Sequence, residues 1–407
     1  MSPPSPTVTG VRLIHTSDWH LGRSFHQVGL LDAQAAYLDH LVDVVRSERV
    51  DAVLVSGDVY DRAMPSPDTV ALLSQALVRL VDAGAQVVLS SGNHDSATRL
   101  GFASDLLERA GVHVRTAVAD IGRPVVLGDV AVHPLPYLEP ALAAEPLGAT
   151  ERTHAGVLRA AMDRVRADAA HRGGRTVVMA HAFVTGGVTS ESERDISVGG
   201  VSAVPPEVFA GTDYAALGHL HGRQEVADGV RYSGSPVAMS FSEWRHSKVS
   251  LLVDLSGDRP SVQHVEAPVA RPLAVLRGTL DELLADPAHR AAETSWCQVT
   301  LTDPARPLGA MERLRRRFPH TLELRFDPEG ATVPLRPYAA RVATTSDVDV
   351  CCDFLSHVRG GRGASDDERG LLAEAVEASR VARQVGDDEG VARGGADGTA
   401  SDAAGAA

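Results

Sequence analysis

The chain has 407 residues, 44% hydrophobic and 23% charged, which excludes a single small domain and a disordered chain and predicts two or three globular domains. No run approaches the roughly 18 apolar residues needed to cross a bilayer, and residues 1–10 lack the basic and apolar segments of a secretory leader, so a cytoplasmic protein without membrane contact is expected. The net charge of −14 argues against a protein that coats nucleic acid by electrostatics alone, and three cysteines give no disulfide framework.

Residues 11–15 read as a short buried strand, followed by the loop Thr16-Ser17-Asp18-Trp19-His20-Leu21-Gly22. A helix is expected over about 32–49, with Leu38, Leu41, Val42 and Val45 at helical spacing. A strand at 52–55 then ends in Ser56-Gly57-Asp58, with Asp61 just beyond, and a helix at 67–83 carries Val70, Leu73, Leu77 and Leu80. The strand 86–89 runs into Ser90-Ser91-Gly92-Asn93-His94-Asp95, and a third helix is expected at 99–110. Short strands at 124–133 and a helix at 151–171 precede two further strands, 176–180 ending in His181 and 213–217 ending in Gly218-His219-Leu220-His221. Tyr232-Ser233-Gly234-Ser235-Pro236 and a strand at 249–253 close this domain, expected over 1–270.

The alternation of strands and helices predicts an α/β domain, and strands that present acid, amide and imidazole groups at one end place them where such sheets bind ligands. A smaller α/β domain is expected over 271–345, with strands 273–277, 296–302 and 321–326 and helices 279–286 and 307–317. Two helices follow in 346–385, the second opened by the capping-box pattern Ser365-Asp366-Asp367-Glu368, and the Gly- and Asp-rich stretch 386–407 is expected to be disordered. All basic residues except Lys248 are arginine.

The strand-end groups Asp18, His20, Asp58, Asn93, His181, His219 and His221 amount to two carboxylates, an amide and four imidazoles. Nitrogen and oxygen donors without sulfur suit Mn(II), Fe or Zn better than Ca or Mg. Seven donors exceed the shell of one ion, whereas two ions sharing a carboxylate use them all, so a binuclear centre is favoured. Singly, each motif reads as a turn, a cap or a core histidine; together they point to a metal centre.

Asp18-x-His20, Gly57-Asp58-x-x-Asp61, Gly92-Asn93-His94-Asp95, His181 and Gly218-His219-x-His221 resemble the calcineurin-like metallophosphoesterases. More narrowly, Ser190-Glu191-Ser192-Glu193-Arg194, Ser197-Val198-Gly199-Gly200, Ala216 to Gly222 and Tyr232 to Pro236 resemble the SbcD family, nuclease subunits of bacterial SbcCD complexes. The resemblance covers about residues 11–385 and implies a four-layer α-β-β-α sandwich with an α/β cap over the DNA channel. It implies two Mn(II) ions, with Mg, Fe or Zn as other occupants. Asp18, His20, Asp58 and His221 would hold one, and Asp58, Asn93, His181 and His219 the other. His94 would contact the scissile phosphate and assist the leaving group, and Asp95 would orient His94. Asp61 stands where some relatives carry a histidine.

The implied activity is cleavage of DNA, as a 3′→5′ double-strand exonuclease and a single-strand or hairpin endonuclease in DNA end processing, repair, recombination and replication. The implied partners are DNA, an SbcC-type ATPase docked on the C-terminal helices, and a second copy of the chain joined through helices 67–83 and 99–110, giving a heterotetramer at the nucleoid. Arg23, Arg62, Arg99, Arg194, Arg223, Arg245 and the cluster Arg313, Arg315, Arg316 and Arg317 are possible phosphate contacts. Rival readings are a phosphatase of small phosphomonoesters or cyclic nucleotides and a non-catalytic scaffold for DNA ends.

Overall fold

In the computed structural model of the chain, which describes residues 10–194, 196, 203–328, 346–359 and 362–393, alternate residues of the central strands enter two different cores. Leu13, Leu54 and Val88 point into a core shared with Val132, Val177, Met179 and Ala216 of a second sheet. Their neighbours Ile14, Val53, Val55, Val87 and Leu89 face Leu38, Leu41, Leu73 and Leu80 of the helices Leu31–Glu48 and Pro67–Asp82. The second sheet repeats the pattern: Val178, Ala180, Ala215 and Leu217 pack outward on Val157, Leu158, Ala161 and Val165 of the helix His154–Arg172. The period of two along each strand thus produces the expected α-β-β-α layers.

The first sheet runs in the order Ser261–Glu266, Val249–Asp254, Arg12–Thr16, Ala52–Ser56, Gln86–Ser90, Val112–Arg115; its last four strands are parallel. The second runs Gln224–Ala227, Val230–Tyr232, Tyr214–Gly218, Arg175–His181, Val130–Pro134, Val125–Leu127, with its four middle strands parallel. Side chains of the first sheet bond polar groups of the second across the seam. His15 Nε2–H donates to the Leu217 carbonyl at 3.1 Å, leaving Nδ1 to accept from the Tyr214 hydroxyl at 2.9 Å, and burial holds this imidazole neutral by lowering its pKa to about 3. Ser56 Oγ donates to the Ala216 carbonyl at 2.9 Å.

The structure departs from the sequence expectation in several elements. The helix expected at 99–110 is two short helices, Ala97–Leu100 and Ser104–Glu108, broken at Ala103 with φ +58°. Val249–Asp254 is an interior strand, and Ser261–Glu266 forms the edge. The helix Pro140–Leu147 and the strands Val112–Arg115 and Gln224–Ala227 were not expected.

Residues up to 274 with 294–296 form one compact unit, and 275–293 with 297 onward form another. The latter contains the helices Leu280–Ala285, opened by a Thr279/Glu282 capping box, and Ala310–Arg317, with Leu283, Val299, Leu301, Leu314 and Phe318 buried. Leu273–Gly278, Trp296–Leu301 and Thr321–Phe326 make a three-stranded sheet. The helix Asp347–Val358 is tied to Asp366–Arg393 through Arg359, which meets Glu368 with two bonds of 2.9 Å, and through the Arg369–Asp349 pair. The last helix continues to Arg393, so 386–393 are helical where disorder was expected. Residues 394–407, the motif 197–200 and the proline-rich turns before 346 lie outside the described residues.

Gly218 marks where the sheets come closest: a β-carbon there would lie 1.9 Å from the Ser56 carbonyl oxygen. Since that obstacle is backbone, Gly218→Ala is expected to destabilise the fold by about 2–3 kcal/mol, read as a lower urea midpoint at unchanged slope.

Candidate metal centre

The strands ending at Thr16, Ser56, Ser90, His181 and Gly218 open into loops that carry all seven predicted ligands. Their backbones are interlocked: Asp18 N–H donates to the Gly57 carbonyl at 3.1 Å, His20 N–H to the Asp58 carbonyl at 2.9 Å and Leu21 N–H to the Val59 carbonyl at 2.9 Å. Asp18, His20, Asp58 and His219 have φ of +52°, +43°, +49° and +104°, a region that non-glycine residues rarely occupy, so the surrounding bonds hold strain at the ligands themselves. Gly92 is required by proximity, because a β-carbon there would lie 2.1 Å from Asp58 Oδ1.

Carbonyl oxygens accept only, which fixes two ring tautomers. His181 Nδ1–H donates to the Ser56 carbonyl at 3.0 Å and His94 Nδ1–H to the Asp61 carbonyl at 2.8 Å, so each Nε2 carries its lone pair. His181 Nε2 then faces Asn93 Oδ1 at 2.9 Å and Asp58 Oδ2 at 3.5 Å. His20 Nε2 faces His221 Nε2 at 3.2 Å and Asp58 Oδ2 at 3.4 Å. Asp18 accepts from Ser17 Oγ at 2.5 Å and from the His219 N–H at 3.1 Å. Three sets of donor atoms lie within 4.8 Å of one another: Asp18, His20 and His221; His20, Asp58 and His94; Asp18, Asp58 and His181. Asp18, His20 and Asp58 each belong to two of them, so the sets overlap. These three sets leave out His219, whose ring stands 5.3 Å from that of His181, centroid to centroid.

Burial governs the charge states. It lowers His20 to about 4 and His219 to about 3, keeping both rings neutral and able to bind metal. It raises Asp18 to about 6 against the pull of His181 and His221. For Asp58 burial also pushes upward, but His181, His20 and His94 outweigh it and hold the carboxyl below its ordinary range. His221 goes the other way: burial opposes its charge, yet Glu243, Asp18 and Glu193 raise its pKa.

A family model described as calcineurin-like phosphoesterase matches residues 11–222, just over half of the chain. The chain belongs to the calcineurin-like phosphoesterases. A second family model, described as the type 5 capsule protein repressor C-terminal domain, matches residues 269–359. An SbcCD nuclease subunit from Staphylococcus saprophyticus subsp. saprophyticus is 28% identical over 355 residues, covering 86% of this chain and 94% of that protein. Among solved structures, a Thermus thermophilus protein has 13% identity and a TM-score of 0.39, covering 63% of this chain and all of its own. A dimetal phosphatase from Danio rerio has 14% identity and a TM-score of 0.40, covering 64% of this chain and 97% of its own.

In this calcineurin-like phosphoesterase the donor set fits divalent cations. Lone pairs of His181 Nε2 and Asn93 Oδ1 repel one another unless a cation lies between them, the His20 and His221 nitrogens face each other beside them, and two carboxylates adjoin the group.

Asp95 does not orient His94. Its carboxylate accepts the N–H groups of Gly92 at 2.9 Å, Val59 at 3.1 Å and Tyr60 at 2.9 Å, fastening the Asn93 loop to the Asp58 loop. Asp61 pairs with Arg23 at 2.9 Å and stands 3.6 Å from His20 Nδ1; burial raises its pKa, but His20 and Arg23 bring it down to about 2. Several expected phosphate contacts are engaged elsewhere. Arg23 is held by Asp61 and the Ser192 carbonyl, Arg99 by the Ala63 carbonyl, Arg223 by His264, Arg313 by Asp281, Arg315 by the Thr321 carbonyl, Arg316 by Glu312 and Arg317 by Glu293. Ser192, Glu243 and Lys248, which surround His221, were not read as part of the centre; the lone lysine and the motif Ser190-Glu191-Ser192-Glu193-Arg194 were their sequence signals.

Asn93→Ala is expected to weaken Mn(II) binding by about 10- to 100-fold, whereas His94→Ala leaves binding nearly unchanged and lowers turnover about 100-fold or more, as titration calorimetry and steady-state assays would show. Asp95→Ala leaves three N–H donors without their acceptor and is expected to cost about 3 kcal/mol in urea unfolding of the metal-free protein.

Proposed function

We propose that this chain is the nuclease subunit of an SbcCD-type complex, a Mn(II)-dependent phosphodiesterase that cuts DNA. The observation that carries the reading is Asp58 Oδ2 standing 3.4 Å from His20 Nε2 and 3.5 Å from His181 Nε2, between two groups of nitrogen and oxygen atoms, in a chain similar to an SbcCD nuclease subunit along 86% of its length. Asp18, His20, Asp58 and His221 would hold one ion, and Asp58, Asn93, His181 and His219 the other. Bound there, two divalent ions supply the Lewis acidity that activates water and neutralises the phosphoryl group in an in-line displacement.

The chain's own residues do the rest. The Asp61 carbonyl fixes His94 so that Nε2 faces the site 3.9 Å from Asp58 Oδ2, the position from which the ring would contact the scissile phosphate and assist the leaving 3′ oxygen. Arg194, close enough to His94 to oppose its protonation electrostatically, carries the positive charge that a phosphate backbone seeks.

The activity proposed is 3′→5′ exonuclease on duplex ends and endonuclease on single strands and hairpins. The helices Asp347–Val358 and Asp366–Arg393 would dock on the ATPase, an assignment supported by Phe354 (53% exposed) and Leu371 (66%). Exposed Val70, Val78, Phe102 and Leu106 support a homodimer through the helices over the first sheet.

The test supplies the purified chain, Mn(II) and the ATPase partner with end-labelled duplex DNA, and in parallel a chromogenic phosphomonoester. DNA cleavage without monoester turnover is expected. Monoester turnover without DNA cleavage would transfer the site to the small-molecule phosphatases.

A further inference from the structure

His221 is gripped from three sides. Its N–H donates to Glu193 Oε1 at 2.7 Å, its carbonyl accepts from Lys248 Nζ at 3.1 Å, and its outer ring nitrogen Nδ1 lies 2.7 Å from Ser192 Oγ. Ser192 Oγ in turn lies 2.6 Å from Glu243 Oε1. A carboxylate only accepts, so the serine hydroxyl donates to Glu243 and is left to accept from His221 Nδ1–H. In the neutral ring the relay places the proton on Nδ1 and leaves the lone pair on Nε2, the nitrogen that faces His20 at 3.2 Å.

Behind the relay stands the chain's one lysine. The Lys248 ammonium donates to the second Glu243 oxygen, to Ser235 Oγ at 2.9 Å and to the His221 carbonyl, so its three N–H groups have three acceptors. Glu243 is 1% exposed and Lys248 8%. A buried ion pair is a poor source of stability, since desolvation offsets much of the attraction. What this pair does is geometric: one end reaches the ring of His221 through a hydroxyl, and the other holds the same residue's backbone.

We propose that Glu243, anchored by Lys248, is a positioning residue that sets the tautomer and orientation of His221 through Ser192 and so fixes the affinity of the metal centre. The inference rests on the metal-centre reading above and adds to it three residues beyond the ligand set.

The test is titration calorimetry of Mn(II) into the metal-free full-length chain, for wild type, Glu243→Gln and Ser192→Ala, with Co(II) visible spectra and melting curves of the same proteins. Both variants are expected to bind one of the two ions about 10- to 100-fold more weakly and to show an altered Co(II) spectrum. Ser192→Ala leaves the Glu243–Lys248 pair intact, so it should melt with the wild type and keeps the proposal testable where Glu243→Gln fails to fold. Wild-type affinity and an unchanged Co(II) spectrum in folded Ser192→Ala would overturn the proposal and reduce the pair to a loop anchor. A wild-type chain that takes up no ion would overturn the metal-centre reading and this inference together.

Discussion

Lone pairs aimed at one another across about 3 Å repel, and the larger unit is arranged to keep several of them in that position. His20 and His221 meet nitrogen to nitrogen at 3.2 Å, and His181 meets the Asn93 amide oxygen at 2.9 Å. Three ring tautomers are fixed from outside the site. The Ser56 and Asp61 carbonyls take the outer protons of His181 and His94, and the Ser192–Glu243 pair takes that of His221. Four ligand residues also sit at positive φ. This concentration of unfavourable local terms is tolerable because large apolar cores lie on both faces of both sheets.

The scaffold explains why the donors converge. Parallel strands end side by side, so loops separated by long stretches of sequence emerge together, and backbone bonds such as His20 N–H to the Asp58 carbonyl lock neighbouring loops in register. Asp95 belongs to this scaffold. By collecting three N–H donors from two loops it holds Asn93 and Asp58 in mutual register.

The strand-end motifs were legible in the sequence because an apolar run followed by acid, amide or imidazole is a local pattern. What lay beyond the sequence was non-local or misleadingly local. Ser192 lies 29 residues from His221 and 51 from Glu243, so no spacing rule links the three. Asp95 adjoins His94 in the chain, yet the turn sends the two side chains to different partners. The apolar spacing over 99–110 read as one helix although Ala103 adopts a left-handed conformation that ends it. The glycines and acids after Val385 read as disorder, while the helix runs through Gly386 and Gly390 to Arg393. The arginine cluster 313–317 was weighed as a phosphate contact, but neighbouring acids and carbonyls engage it.

The centre is divided between the two sheets. Asp18, His20, Asp58 and Asn93 follow strands of the first, and His181, His219 and His221 follow strands of the second. Neither half alone presents a complete set of donors, and the contacts that join the halves link residues far apart in the chain, such as His15 and Leu217. A chain caught partway through folding, or clipped between the halves, therefore carries no fragment of a working centre. The full donor set requires sheet docked on sheet, so any change that parts the two sheets also parts the donors.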